Sequence, residues 1–445
     1  MHQNRVFFWS IVVALGGFLF GFDTAVISGA ERSIQELWQL SVFEHGLTIS
    51  IALIGTVLGA LFGGIPSDRL GRRKTLFWIA GLYLVSAIGS AVTSDWLTFM
   101  FFRLIGGLGV GASSVAAPMY ISEISPAHSR GRLVALFQFN VVFGIMVSYL
   151  SNYLLAGTGE NDWRWMLGVE AIPALAFLIA LFFVPESPRW LLIKKGRRDE
   201  ARDILLAANP AGTDVDAMIA TIVEATTRAA GETEKPPFFS RQYRTPIMLA
   251  VLFAVFNQVS GINAIIYYAP RIFEMAGLGK SSALLSSAGI GFINLLFTML
   301  GMSLIDRFGR RTLMLIGSVG LIITLGLVAK AFYFEEFGNF SVPIYLFVYI
   351  AFFALSQGAV IWVFISEIFP NEVRASGQAL GSFTHWFMAA VIAFTFPYFS
   401  ESLGGGNTFL FFCSMMVLQL LFVWRMMPET KGTSLEQIGK QVVVQ

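Results

Sequence analysis

Residues 68–74 read DRLGRRK, and residues 306–312 repeat this motif as DRFGRRT. Two other motifs recur at nearly the same offset along the chain. They are ISEISPAHSRG (121–131) with ISEIFPNEVRA (365–375), and PESPR (185–189) with PETKG (428–432). Three matched pairs at nearly one offset indicate a chain built from two similar halves. In membrane carriers, parallel repeats of this kind are related by an axis along the membrane normal and move around a central site.

The composition around these motifs is that of a membrane protein. The chain has 445 residues, of which 56% are hydrophobic and 13% charged, whereas soluble domains carry about 25% charged residues. A soluble repeat protein would need more charges for its outer faces. About 20 apolar residues cross a bilayer, and the chain contains twelve such windows: 7–29, 47–66, 76–93, 97–120, 133–156, 166–184, 246–269, 283–305, 313–333, 342–366, 376–398 and 408–427. We therefore predict an all-α integral membrane protein with twelve transmembrane helices in two six-helix halves.

The windows divide the chain into a first six-helix bundle (1–184), a linker (185–245), a second bundle (246–428) and a tail (429–445). Lys and Arg are concentrated in the loops of one side, and this bias places both termini in the cytoplasm. The linker has two stretches with apolar residues at helical spacing, which predict amphipathic cytoplasmic helices. The apolar positions are Ala201, Ile204, Leu205 and Ala208, followed by Val215, Met218, Ile219, Ile222 and Val223.

The remaining composition argues against several classes of protein. The net charge is +2 and no basic block is interleaved with aromatic residues, so nucleic acid is not an expected partner. A single cysteine, Cys413, excludes an intrachain disulfide and a multi-cysteine zinc site, and four scattered histidines argue against a metal centre. GGLGVG (106–111) follows no predicted strand, so we expect it to serve helix packing and not phosphate binding. We expect no cofactor, no metal and no enzymatic activity.

Two charges lie deep in the predicted spans: Asp23 in the first and Arg103 in the fourth. At mid-membrane each would cost about 2.5–3.5 kcal/mol on insertion scales. Both lie about 8–10 Å below the outer surface of the apolar zone, counting about 1.5 Å per residue from the expected span ends, so we predict that they pair. We expect outer-side protons to neutralise Asp23, free Arg103 and permit an inward swing. The alternative is a static ion pair. Glu170 is expected to be an interfacial acid, with membership of the proton relay as its alternative.

Span seven reads NQVSGINAIIYY from Asn257 and places three amides, those of Asn257, Gln258 and Asn263, in an apolar helix. An amide both donates and accepts hydrogen bonds, as a sugar hydroxyl does, so these side chains suit a neutral polyol. Gln138 in span five and Asn294 in span eight add two further amides. The alternative is a role in helix–helix contact, where such a bond contributes about 1 kcal/mol or less.

Charges that recur at the inner loops of both halves predict a cytoplasmic gate. The residues are Asp68, Arg72, Glu123, Arg130, Asp306, Arg310, Glu367 and Arg374. Pairs between spans would hold the cytoplasmic side shut in an outward-facing state. An exposed ion pair contributes only about 0–1 kcal/mol, so a network is needed to bias the equilibrium. The alternative is that these charges fix only loops and topology.

Six motifs together resemble the sugar porter branch of the major facilitator superfamily, closest to its bacterial xylose and glucose proton symporters. The motifs are DRLGRRK, PMYISEISPAHSRGR, PESPRW, NQVSGINAIIYYAP, DRFGRRT and PETKG. They extend from the loop between the second and third predicted spans to the tail, and the resemblance covers the whole chain. It implies the major facilitator fold and a role for the inner-loop charges as a gate that depends on the conformational state.

The resemblance also implies a set of sugar-binding residues. Four amides, Gln138, Gln258, Asn263 and Asn294, match sugar-binding positions of the family, and Tyr267, Trp362 and Trp386 match aromatic positions that line the pocket. Three positions depart from the pattern. Asn257 stands where the family usually has glutamine, His385 replaces an amide, and Ile145 matches the passive facilitators. The identity of the sugar is therefore left open.

We therefore expect a proton-coupled monosaccharide importer that works by alternating access. Its partners would be a neutral monosaccharide, protons and the lipid of the plasma (inner) membrane, and it would function as a monomer. A passive facilitator is the alternative that Ile145 favours and Asp23 opposes, because the facilitators carry asparagine at that position. A non-transporting sugar sensor is a further alternative, which the short tail after Pro428 disfavours.

Overall fold

The computed structural model describes residues 2–126, 129–210, 212–231, 237–338, 340–370 and 373–432. In chain order, the helices are α1 (His2–Leu37), α2 (Val42–Phe62), α3 (Gly64–Leu70), α4 (Arg72–Val92), α5 (Trp96–Ile124), α6 (Arg130–Leu155), α7 (Asp162–Gly168), α8 (Ala171–Ala180), α9 (Pro188–Trp190), α10 (Arg198–Ala208), α11 (Val215–Gly231), α12 (Arg244–Val259), α13 (Ile262–Met275), α14 (Lys280–Phe308), α15 (Arg310–Tyr333), α16 (Ser341–Phe353), α17 (Ala359–Ile368) and α18 (Arg374–Met426). Short 3-10 or π turns extend some of these helices, and no described residue is in a strand.

Within the described ranges, eleven helical stretches are long and apolar enough to cross a membrane. The last of them, α18, has 53 residues. At about 1.5 Å per residue it would measure about 80 Å, more than twice the hydrocarbon thickness of about 30 Å. It is interrupted at Gly404, where φ is 77° and ψ is 159°. This break separates the eleventh predicted window from the twelfth, so the helices account for all twelve predicted spans.

The first helix ends later than its apolar window. The sequence predicts an end near Ser28 or Gly29, but α1 continues to Leu37. Residues 30–37, AERSIQEL, are mostly good helix formers, and Ala30 and Ile34 are fully buried. The helix therefore continues beyond the predicted apolar window, and the end of the membrane span near Ser28 or Gly29 stays a prediction.

The chain divides into two compact units, and each is described by itself. The first comprises Met1–Asp23, Gly55–Gly144 and Leu167–Pro236, and the second comprises Thr24–Ile54, Ile145–Met166 and Pro237–Gln445. The predicted domain boundaries at 184, 245 and 428 stay predictions. Residues 433–445 of the predicted tail lie outside the described residues.

In the first unit, α4 packs along α5 and α8. Tyr83, Tyr120 and Phe177 are fully buried in its core. The glycine motif of α5 lets this helix approach α2 closely, since a Cβ atom on Gly111 would press on the backbone of Thr56. The packing role predicted for GGLGVG is therefore confirmed. Small residues serve such close contacts between membrane helices.

The linker helices α10 and α11 belong to the first unit. The predicted apolar face of α10 is buried throughout: Ala201, Ile204, Leu205 and Ala208. In α11, Val215 and Ile219 pack against α10, whereas Val223 is exposed, so only the start of the second predicted face is covered. An exposed ion pair of 3.1 Å joins Arg202 to Asp216, and this hydrogen bond lowers the pKa of Asp216.

In the second unit, α12 and α13 together form the seventh span. They are separated at Gly261, which has a φ of 88°, a conformation that glycine adopts at little cost. The tenth span is formed by α16 and α17, joined through a π turn at Ala354–Gly358. α15 packs along α18 and α16. The break at Gly261 matters most for the site, because polar side chains lie on both sides of it.

Candidate functional site

A buried ion pair lies within the first unit. Arg103 on α5 places Nη1 2.5 Å from Oδ1 of Asp23 on α1, and its Nη2 donates to the backbone oxygen of Asp23 at 3.3 Å. Each side chain is only 3% exposed. The two groups that were predicted to meet therefore do lie in contact, and each charge has a partner where water does not reach it. An unpaired charge at this depth would be costly.

Glu170 is the third member of this group, which we call the buried charge cluster (Asp23, Arg103 and Glu170). It is 2% exposed and lies close enough to Asp23 and Arg103 for their charges to act on it, while its Oε1 has no hydrogen-bond partner among the described residues. Glu170 is thus buried beside the ion pair, and its position relative to the membrane interface stays a prediction. The sixth helical stretch begins at Asp162, four residues before the predicted window.

The chemistry of the buried charge cluster follows from its composition. Two ionised carboxylates at short range repel each other, and a proton on one of them removes that repulsion. One guanidinium balances one carboxylate, and such a proton balances the other. With one proton bound the cluster is neutral, and a second proton or the loss of the first leaves a net buried charge.

Amides meet in the second unit around the break at Gly261. Gln258 at the end of α12 donates from Nε2 to Oδ1 of Asn257 at 2.9 Å, and its Oε1 accepts from Nδ2 of Asn263 on α13. The ring nitrogens of His385 on α18 lie 3.2 and 3.3 Å from Nε2 of Gln258. We call Asn257, Gln258, Asn263 and His385 the amide cluster. Its members are mostly bonded to one another.

Two tryptophans frame the amide cluster. The ring of Trp362 on α17 lies 4.9 Å from that of His385, and the Trp386 ring lies 4.8 Å from it, nearly edge-on. An indole offers an apolar face and one N–H donor. The cluster therefore combines donors, acceptors and flat apolar surface, which is the combination that a ring carrying several hydroxyl groups requires.

The other predicted sugar-binding residues are placed as follows. Tyr267 on α13 is buried. Asn294 on α14 is 7% exposed, and its Oδ1 accepts from Oγ1 of Thr298 at 3.3 Å. Gln138 lies half-buried on α6 in the first unit, so its meeting with the amides of the second unit stays a prediction. Ile145 is buried in the second unit.

The repeated motifs build a charge network in the first unit, the first motif network (Asp68, Arg72, Glu123, Glu186 and Ser187). Arg72 donates from Nε and Nη2 to the two oxygens of Glu123, each at 2.9 Å, and from Nη1 to Asp68 at 3.1 Å. Ser187 donates its hydroxyl to Glu123. Glu186 accepts from the backbone nitrogen of Arg72 at 2.9 Å. Burial raises the pKa of the Glu186 carboxyl, and its backbone hydrogen bonds oppose the shift.

The second unit repeats this arrangement as the second motif network (Asp306, Arg310, Glu367, Glu429 and Thr430). Arg310 donates from Nε and Nη2 to Glu367 at 3.0 and 2.7 Å, and from Nη1 to Asp306 at 2.9 Å. Thr430 donates to Glu367 at 2.6 Å. Glu429 accepts from the backbone nitrogen of Arg310 at 2.9 Å.

Sequence reasoning missed four members of these networks: Glu186, Ser187, Glu429 and Thr430. The signal was present, since PESPR and PETKG were recognised as repeats, but their partners lie far away in the chain. Two predicted gate residues behave differently from the rest. Arg374 donates to the carbonyl oxygen of Phe369 at 3.2 Å, and Arg130 is exposed at the start of α6.

In the part of the chain that the structure describes, no group of three His, Cys, Asp or Glu residues is arranged to hold a metal ion. The fold and the site together define a multi-span helical membrane protein with titratable and amide side chains buried inside its spans. The family model described as "Sugar (and other) transporter" matches residues 9–441, and the chain belongs to this family. It is a membrane transporter with the major facilitator fold and not an enzyme.

The relatives of this chain are similar over nearly its whole length. The arabinose–proton symporter of Bacillus subtilis (strain 168) is 38% identical over 437 residues, which cover 97% of this chain and 94% of that protein. The D-xylose–proton symporter of Escherichia coli (strain K12) is 36% identical, over 98% of this chain and 96% of that protein. A solved inward-open structure of the xylose transporter from Escherichia coli matches with a TM-score of 0.86 and 34% identity, over 97% of this chain and 99% of that one. The resemblance that the motifs indicated is thereby confirmed.

Proposed function

We propose that this chain is a proton-coupled importer of neutral monosaccharides that works by alternating access, with Asp23 as the proton acceptor and Arg103 as its partner. The observation that carries the proposal is the buried charge cluster of the first unit, where a bound proton decides the net charge. Two relatives with more than a third of their residues in common are named as proton symporters, one for arabinose and one for D-xylose.

The charge balance of the cluster supplies the coupling. With Asp23 ionised, its bond to Arg103 holds α1 against α5 inside the first unit. A proton that enters from the outer side neutralises Asp23 and weakens this bond. The separated guanidinium must then find another acceptor, and Glu170 is the buried carboxyl beside it. Since a pairing preference of about 1.4 kcal/mol changes an equilibrium tenfold, a modest difference between the two forms suffices to make movement depend on the proton.

The amide cluster supplies sugar recognition in this proposal. Without sugar, Gln258 is held by Asn257, Asn263 and His385. A sugar hydroxyl that enters has to replace one of these bonds with an equivalent donor or acceptor, because an unsatisfied buried polar group costs about 1–3 kcal/mol. Hydroxyl groups of the wrong orientation leave such a group behind, so the cluster selects by stereochemistry. No charge occurs within it, which suits a neutral ligand.

The second candidate function is a passive sugar facilitator, and the observation in its favour is Ile145. This side chain is apolar and buried, so it offers no hydrogen bond to a ligand. The two candidates differ in one property. A symporter accumulates sugar against its gradient when protons flow inward, whereas a facilitator only equalises the two sides.

The test is transport by purified protein in proteoliposomes, using Asp23→Asn with Asp23→Glu as the conservative variant. We expect Asp23→Asn to lose uphill accumulation under an imposed proton gradient while it keeps sugar exchange at equal concentrations. Asp23→Glu should retain part of the uphill activity. Glu160→Gln, at an exposed loop position, is the matched control and should behave as the wild type. Uphill accumulation at the wild-type level in Asp23→Asn would refute the proton role.

We further propose that the predicted gate works through the two motif networks and that the monomer is the functional form.

We also propose that both termini lie in the cytoplasm. This orientation rests on the concentration of Lys and Arg in the loops of one side. It is tested with a cysteine at exposed Thr158 in a Cys413→Ala background. A membrane-impermeant thiol reagent added to intact cells should label Thr158→Cys, and labelling only after lysis would reverse the orientation.

A further inference from the structure

A second buried ionic group lies near the carboxyl end of α1, beyond Asp23, and takes no part in the proposed coupling. Glu31 on α1 and His45 in the first turn of α2 are 2% and 0% exposed. Nε2 of His45 is 2.8 Å from Oε2 of Glu31. Arg271 on α13 reaches the same oxygen at 3.2 Å and Oε1 of Gln35 at 2.9 Å. We call Glu31, Gln35, His45 and Arg271 the outer cluster. All four belong to the second unit.

The contacts constrain where His45 can carry a hydrogen. Arg271 can only donate, and its Nη1 lies 3.3 Å from Nε2 of His45. A hydrogen on Nε2 has Glu31 as its acceptor at 2.8 Å, so a ring with this single hydrogen fits the arrangement. Nδ1 is buried and has no hydrogen-bond partner among the described residues. A second proton on Nδ1 would be an unsatisfied buried donor and would add a second cation beside Arg271.

The surroundings do not supply another acceptor for that proton. The ring of Tyr268 on α13 packs near His45, with 6.1 Å between centroids, and donates its hydroxyl to the carbonyl oxygen of Ala393. Glu44, the neighbour of His45 on α2, accepts from Ser41. An adjoining cavity of about 540 Å³ is lined by Glu31, Arg271 and four further charged groups, Arg32, Glu36, Glu274 and Lys280. Arg32 is paired with Glu36 and Glu274.

We propose that the outer cluster is an external proton site: neutral His45 holds the outer ends of α1, α2 and α13 together through Glu31 and Arg271, and protonation of His45 releases them. Histidine is the side chain whose charge ordinarily changes between about pH 5 and 8. In the closed arrangement a proton on Nδ1 has no acceptor among the described residues, whereas a separated, hydrated imidazole can donate it to water. The proton therefore binds preferentially to the open form, and acid on this side shifts the equilibrium toward opening. The inference rests on the proposed orientation and alternating access, but not on the role of Asp23.

The direction of this effect suits a carrier driven by protons. One proton bound only by the open form changes the ratio of open to closed forms by at most about tenfold per pH unit. Acid outside would then both expose the outer entrance and supply the proton that enters. This site differs from the buried charge cluster, because it controls access and transfers no proton across the membrane.

The test measures accessibility and does not require transport. Ser28 on α1 is 3% exposed and lines the adjoining cavity, so a cysteine there reacts quickly only when the outer ends part. In a Cys413→Ala background, Ser28→Cys is labelled in proteoliposomes with an impermeant thiol reagent at external pH 7.5 and 5.5. Thr158→Cys, at an exposed position, corrects for the reactivity of the thiol at each pH.

We expect the corrected labelling rate of Ser28→Cys to rise at least about fivefold at the lower pH, within the limit set by one proton. His45→Gln keeps an N–H donor for Glu31 but does not titrate, so its labelling should be slow at both pH values. Glu31→Gln should label faster than the parent at pH 7.5. Glu274→Gln, which affects only the peripheral pair with Arg32, is the matched control and should keep the pH response.

The pH response should persist when Asp23→Asn is added, which separates this inference from the proposed coupling. A response lost with Asp23→Asn and kept in His45→Gln would assign the effect to the buried charge cluster and overturn the proposal. Equal labelling at both pH values in the parent protein would overturn it as well. If His45→Gln does not fold, His45→Asn takes its place as the variant that does not titrate, with the same expected result.

Discussion

The two motif networks have the same plan, while the interiors of the two units differ. In each network an arginine at the start of a helix binds a glutamate at the end of another, a hydroxyl from the PESPR or PETKG motif joins that glutamate, and a second glutamate accepts from the arginine backbone. At membrane depth the first unit has the buried charge cluster and the second has the amide cluster. The repeat is preserved where both units need the same contact and diverges where the chemistry differs.

The two networks also differ in how well they are covered. The side chain of Glu123 is 8% exposed and that of Glu367 is 19% exposed. In the first unit the motif continues into α9, and Nε1 of Trp190 donates to the backbone oxygen of Asp68 at 2.9 Å. In the second unit, Nζ of Lys431 donates to the backbone oxygen of Arg307 at 2.7 Å. A buried indole thus makes the additional hydrogen bond beside the first network, and an exposed lysine makes it beside the second.

The largest expected effect is a difference in the free energy of unfolding between variants in the interiors of the two units. Arg103→Leu leaves two acidic side chains buried without their cation, and we expect a loss of about 3–5 kcal/mol in the free energy of unfolding. Gln258→Leu in the second unit removes neutral hydrogen bonds and should cost about 1–3 kcal/mol. Unfolding by denaturant in detergent measures both. The double variant Asp23→Asn, Arg103→Leu should recover part of the loss, and equal losses for the two single variants would contradict the distinction between the interiors.

The next largest effect is the loss of stability when the arginine of either motif network is removed. Arg72→Ala should lower the free energy of unfolding by about 3 kcal/mol and Arg310→Ala by about 2 kcal/mol, because the acid left behind in the first network is the less exposed of the two. The same unfolding assay ranks them. Arg69→Ala, at an exposed position of α3, controls for the loss of a surface charge. A larger loss for Arg310→Ala would show that exposure does not decide the ranking.

A smaller effect concerns the hydroxyl groups of the two networks. Ser187→Ala removes the bond to Glu123 and also the cap of α9, where the Ser187 hydroxyl accepts from the backbone nitrogen of Trp190 at 3.2 Å. We expect a loss of about 2 kcal/mol, combining a hydrogen bond to a charged group with a helix cap. Thr430→Val removes only the bond to Glu367 and should cost about 1 kcal/mol. Melting temperatures in detergent compare the pair, and Ser187→Thr should keep most of the stability.

The smallest expected effect lies within the amide cluster and rests on the proposed function. His385→Gln restores an amide where the family usually has one and keeps an acceptor for Gln258. We expect the dissociation constant for a bound sugar to change by less than about fivefold, which corresponds to about 1 kcal/mol. Titration calorimetry with D-xylose, L-arabinose and D-glucose measures it. His385→Leu, which has no acceptor, should weaken binding more, and equal effects of the two variants would remove His385 from the site.

The fold was largely predictable, and the reasons are physical. A bilayer requires apolar helices of a set length, so windows of composition correspond closely to spans. The repeats supplied the pairing of the two halves. The end of α1 was not predictable in this way, since residues 30–37 are mostly polar and only Ala30, Glu31 and Ile34 among them are buried. Apolar composition reports contact with lipid and does not report contact with protein.

The site was predictable in part. Asp23 and Arg103 stood out because a charge within an apolar window needs a partner, and the contact between them is present in the structure. Glu170 was expected at the interface because it lies near the outer end of its window, and the structure adds that it is buried beside Asp23 and Arg103. Glu186 and Glu429 were not assigned, because each accepts from the backbone of a distant helix start and no side-chain pattern signals such a bond. The outer cluster was not predicted, because its side chains come from three separate helices and belong to no repeated motif.

The amide cluster has a further consequence for energetics. Its side chains already satisfy one another before any ligand arrives, so loading the carrier exchanges one set of hydrogen bonds for another of similar strength. Net contributions of single exchanged bonds are small, and we therefore expect a modest heat of association and quick unloading. A transporter must release its ligand in every cycle, so a small net binding free energy suits it better than high affinity.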